Sequence, residues 1–161
     1  MGNWLLLASL IMFFGSLFSA YVMLRAGSTE WPEAFAIFPW LETALLVGAA
    51  AAIGQTRIRL ISAHALGLAF VAVKLMNDIL MIRRGLLPSA TLQLACWFTL
   101  GFVHAFHVLA GALATGWLAG PAFGMKTADR LRFQARIEAT QRYWIFLALV
   151  WLAIVGGFYV V

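Results

Sequence analysis

Charge and cysteine are what this sequence has least of. Charged residues make up 11% of its 161 positions, only six residues are acidic, and Cys96 is the single cysteine. One cysteine excludes an internal disulfide framework and a thiolate metal cluster within the chain. Four prolines and no Gly-, Ser- or Pro-rich stretch leave nothing that reads as a linker, and no internal period recurs.

What fills the chain instead is apolar. Hydrophobic residues reach 64%, aromatics 14%, and the mean hydropathy is +0.95. A soluble domain of this size has too much surface to hide that composition from water. The chain reads as an integral membrane protein, with residues 1–161 forming one transmembrane helical domain. The net charge of +5 comes from Lys and Arg in loops rather than along one face, so no nucleic-acid partner is expected. The N-terminal run "MGNWLLLASLIMFFGSLFSAYVMLR" has no basic residue before its apolar core and exceeds a signal-peptide core in length, so it reads as a retained helix. Leu6 stands where N-myristoylation wants a hydroxyl residue.

A spanning helix needs about 20 mostly apolar residues. Five segments qualify: Asn3–Leu24, Ala34–Ile53, Leu60–Ile82, Thr91–Leu118 and Tyr143–Val161. Between Gly85 and Met125 no residue is charged, and Pro88 and Pro121 bracket the fourth span. The predicted fold is an all-α bundle of five transmembrane helices. Loop charge sets its direction. With the N-terminus cytoplasmic, the inner loops hold Arg57, Arg59, Lys126, Arg130, Arg132, Arg136 and Arg142, and the outer ones only Arg25, Arg83 and Arg84. The N-terminus is therefore expected inside and the C-terminus outside. Thr127–Arg142 reads as a helical extension of the last span, with Thr127 as N-cap and Asp129 in its first turn.

Polar groups in the spans are few: Glu42, His64, Lys74, Asn77, Asp78, His104 and His107. Such groups are costly in hydrocarbon and mark something. His64 alone reads as interfacial, near an inner helix end. Counting outward from the turn between spans two and three sets Lys74 opposite Glu42, which predicts a structural ion pair; Asp78, four residues on, is the alternative partner. A proton relay is the functional reading of the same pair. His104 and His107, at i and i+3, share a helix face in "HAFHVLAG". A metal site lacks its further ligands, and a bis-histidine haem would have to recruit His64. The plainer expectation is neutral histidines hydrogen-bonded between helices that Gly101, Ala105, Ala110, Gly111 and Ala112 allow to approach closely.

"FTLGFVHAFHVLAG" (Phe98–Gly111) resembles the H-x-x-H-V-x-x-G signature of subunit III of haem–copper respiratory oxidases, the cytochrome c oxidase type. Other stretches follow in that family's order. "LASLIMFFGSLFSAYVMLR", with Ser9 and Arg25, and then Trp31-Pro32, is similar to its first helix in the shorter five-helix form. "ALGLAFVAVKLMNDILMIRRGLLPSA" is similar to its third, and "RYWIFLALVWL", with Tyr143, Trp144 and Trp151, to its last. Together they cover nearly the whole chain.

The resemblance implies a non-catalytic accessory subunit with no cofactor of its own in a multi-pass bacterial inner membrane protein. Haem and copper are then expected in a partner, the catalytic subunit I, with other subunits of the complex alongside. Bound phospholipid in a cleft, further contact with membrane lipids, and support of assembly, proton uptake and stable turnover are also implied. The histidines become buried packing groups. Four departures stand against a direct proton role. Leu10 and Asn77 occupy places where the family usually has glutamates, and Ile145 and Ala148 replace its His and Asp in the last helix. A related role in a nitric oxide reductase, a small b-type cytochrome and, more weakly, a transporter are the rival readings.

Overall fold

The structure, a computed structural model, describes residues 2–29, 31, 39–124 and 129–159. Within them the chain is helical: α1 Gly2–Gly27, α2 Trp40–Ala52, α3 Arg57–Arg83, α4 Leu92–Ala119, a 3-10 turn at Pro121–Gly124, and α5 Arg130–Tyr159. Four of these five helices, all but α2, are long and apolar enough to cross a membrane. The thirteen described residues of α2 rise about 20 Å, against a hydrocarbon core of about 30 Å. Positions 34–38 of the predicted second span lie outside the described residues.

Local chemistry sets the helix ends. At the end of α3, Gly85 takes φ +83°, Gly85 N–H donates to the Ile82 carbonyl and Leu86 N–H to that of Met81. This is a Schellman closure, which only glycine adopts without strain. Thr91 caps α4, its hydroxyl accepting from Leu94 N–H at 3.2 Å. Thr127 lies outside the described residues; the N-cap role predicted for it is filled by Asp129, whose carboxylate accepts from Arg132 N–H at 3.1 Å. Arg57 donates to the Ala119 carbonyl and Arg59 to those of Ala51 and Ala52. Two cations from the start of α3 thus close the C-termini of α4 and α2, where the helix dipoles favour positive charge.

α3 packs between α2 and α4, and α5 closes the group against α4 and α2. The core between these four is dense with large rings and small seats: Phe70, Trp144 and Trp151 are fully buried beside Ala49, Ala63 and Ala112. A Cβ on Gly67 would run into the Trp144 ring, so the indole occupies the space that glycine leaves. α1 is peripheral and touches α4 and α5 along one stripe of Leu7, Leu10, Phe14 and Tyr21. Its far end is pinned: the Tyr21 hydroxyl donates to the Gly157 carbonyl at 2.6 Å, and Arg25 donates to the same oxygen at 2.9 Å.

Candidate functional site

The polar groups of the bundle lie in two layers. The first crosses α2 and α3 near the end that carries Tyr159. Lys74, 1% exposed, forms its ion pair with Asp78 one turn along α3, and Glu42, 3% exposed, accepts from Asn77 Nδ2 at 2.5 Å. The direct Glu42–Lys74 pair expected from the hairpin register is not formed. An i,i+4 partner reaches Lys74 without bridging two helices, and Asn77, one residue earlier, turns to α2 instead. Lys74 has room because position 101 is glycine: a Cβ there would meet its Cε at 2.8 Å. Its ammonium also sits 5.4 Å from the Trp97 ring centroid. Beside Glu42, Thr43 accepts from Trp151 Nε1 at 3.0 Å, tying α2 to α5.

The second layer holds the histidines, and they separate. His104 is fully buried, stacked on Trp151 at 5.4 Å and met edge-on by Phe70 at 5.8 Å and Phe14 at 6.2 Å. Neither of its ring nitrogens has a hydrogen-bond partner among the described residues, so the interhelical bond expected of it is not made. His107 is half-buried, and its Nδ1 lies 2.8 Å from the Val103 carbonyl of its own helix. A carbonyl only accepts, so Nδ1 is the protonated nitrogen. The bond across helices comes from its backbone, whose carbonyl accepts from the Tyr143 hydroxyl at 2.9 Å.

His64, expected at an interface, is the histidine that joins two helices. Its Nδ1 donates to the Ala112 carbonyl at 2.8 Å, and its ring rests where a side chain on Gly116 would stand. Ala112 lies eight residues beyond His104 on α4, about 12 Å along the axis. The Nδ1 of His64 is thereby engaged by the α4 backbone and not by His104 or His107. Among the described residues no three His, Cys, Asp or Glu side chains gather to hold a metal ion.

The remaining sequence-selected residues serve packing and helix contacts. Gly111 makes room for the Tyr143 ring, and Trp144 Nε1 donates to the buried Thr115 hydroxyl at 2.9 Å. Trp31 meets the Tyr21 ring at 5.7 Å and the Arg25 guanidinium at 5.8 Å. The Ser9 hydroxyl is exposed and donates to Leu5 of its own helix, and Pro32 lies outside the described residues. Of the departures from the family pattern, Leu10 is buried, Asn77 binds Glu42 and Ile145 is exposed. Thr43 and Thr115 were not singled out from sequence, because a threonine within a span ordinarily satisfies itself on its own i−4 carbonyl. Both do so here, and each accepts an indole N–H as well.

A cavity of about 440 Å³ opens between α1, α4 and α5, lined by Leu6, Leu10, His107, Gly111, Thr140 and Tyr143 among others. Its walls are mostly apolar and it holds no cluster of reactive groups, which suits a hydrocarbon occupant better than chemistry.

No family model matches the sequence. The chain is similar to cytochrome bo(3) ubiquinol oxidase subunit 3 of Pseudomonas aeruginosa, at 28% identity over 178 aligned positions that cover 95% of this chain and 80% of the relative. That likeness extends over nearly the same length as the motif resemblance and is consistent with an accessory subunit of a respiratory oxidase.

Proposed function

We propose that this chain is a non-catalytic subunit III of a haem–copper terminal oxidase in a bacterial inner membrane. The observation that carries the reading is extent: likeness to an oxidase subunit 3 over 95% of the chain. The relative's name favours an oxygen-reducing assembly over a nitric oxide reductase, and quinol as the electron source. In this reading the haem and copper belong to the catalytic partner, the N-terminus is cytoplasmic, and the cavity beside α1 accepts a phospholipid chain. The chain contributes a rigid apolar scaffold that supports assembly and stable turnover.

His104 and His107 support this reading through what they touch. One fills a nest of aromatic rings and the other bonds its own helix, neither of them an arrangement that presents two nitrogens to one iron. An absorption spectrum of the isolated chain tests the assignment. The accessory-subunit reading expects no Soret band, whereas a stoichiometric Soret band from the purified chain would replace it with a cytochrome.

A further inference from the structure

A second cavity, of about 420 Å³, is lined mainly by α2 and α3, with Trp97 of α4 and Tyr159 of α5, away from the cleft beside α1. Its lining places opposite charges in one space: the Glu42 carboxylate from the first turn of α2, and the Arg84 guanidinium just past the end of α3. The two do not bond each other. Glu42 takes its hydrogen bond from the neutral Asn77, while the nearest buried cation, Lys74, is already paired with Asp78. Lys74, Asp78 and Glu42 together bring one cation against two acids, and Glu42 is the acid left without an ion pair. Burying a carboxylate without a cation is expensive, and more so in a membrane than in water.

We infer that this cavity binds the headgroup of an aminophospholipid, its ammonium on Glu42 and its phosphate on Arg84. An anion and a cation that share a cavity without pairing match a ligand carrying the same two charges in reverse. The walls agree in chemistry and in depth. Trp40 and Tyr159 line the space, and Trp and Tyr concentrate at the headgroup level of membranes, where their ring faces also attract ammonium groups. Leu41 and Leu80, both in the lining and both exposed, give the acyl chains an apolar track along α2 and α3. The site depends only on the membrane placement of the chain and not on its assignment to an oxidase.

The test uses the full chain, purified in mild detergent and exchanged into nanodiscs of phosphatidylethanolamine and phosphatidylglycerol at equal amounts, with retained lipid counted by native mass spectrometry. The wild type should retain phosphatidylethanolamine over phosphatidylglycerol by about tenfold, the worth of one charge-assisted bond. Glu42→Gln should bring that ratio to one, whereas Arg84→Gln should weaken retention of both lipids and leave the ratio standing. A second measurement needs no variant: N-acetyl-phosphatidylethanolamine keeps the phosphate and lacks the ammonium, and should not be retained. Equal retention of the acetylated lipid, or an unchanged ratio in Glu42→Gln, would overturn the site.

Discussion

The buried Lys74 forms its ion pair with the part-buried Asp78 within a single helix, and the acid across the hairpin, Glu42, is held by Asn77 instead. This division of partners makes a sharp mutational prediction. Lys74→Met should destabilise the chain by roughly 3 kcal/mol, because it strands the Asp78 carboxylate. Adding Asp78→Asn should recover much of the loss; adding Glu42→Gln should recover little. Thermal unfolding of the wild type, these three variants and the Asp78→Asn and Glu42→Gln single variants in one detergent gives both cycles. Recovery by Glu42→Gln alone would mean that the hairpin pair dominates.

Gly67 faces Trp144 so closely that any side chain collides with the indole. Gly67→Ala should cost roughly 2 kcal/mol through overpacking. Trp144→Phe shortens the ring and should make the same alanine milder, although it forfeits the bond to Thr115. Melting temperatures of the two single variants and the double variant decide the matter, and additive losses would count against the contact.

His104 and His107 should respond differently. His104 makes no hydrogen bond among the described residues, so His104→Leu exchanges one packed apolar contact for another and should change stability by about 1 kcal/mol or less. His107→Gln keeps a side chain able to reach the Val103 carbonyl, and His107→Leu does not; the difference should also be about 1 kcal/mol or less. None of the three should alter the optical spectrum of the complex. Loss of one haem in any of them would contradict the packing role.

The loop arginines predict orientation. Arg132 is 79% exposed at the start of α5, so Arg132→Cys should be readily labelled. With the N-terminus inside, an impermeant maleimide should reach that cysteine only after the cells are opened. Labelling in intact cells would invert the topology. The native Cys96 is buried and should contribute little background.

Much of this architecture was legible because apolar runs and turn residues are local signals. The Gly85 closure of α3 and the Thr91 start of α4 both emerge from a few adjacent residues. The polar contacts were harder to read. Register along a hairpin placed Lys74 and Glu42 at similar depth, but depth does not say which way a side chain turns, and Asn77 took the cross-helix bond. The i,i+3 spacing of the histidines implied a shared face. A separation of three residues still rotates them by about 60° on the helix, enough to send His104 toward Trp151 and leave His107 beside α1. The helix contact of His64 gave no local signal, because a lone histidine carries no period and its partner is a backbone carbonyl opposite a glycine.

The central claim is that this chain is one part of an oxidase whose redox chemistry lies in another. Affinity purification of the tagged chain from its native membrane in mild detergent tests it directly, by protein stoichiometry and by haem and copper per complex. The account predicts an equimolar multi-helix partner that carries all of the haem and copper. Recovery of the chain alone at every detergent concentration, or haem that follows this chain after the partner is stripped away, would contradict it.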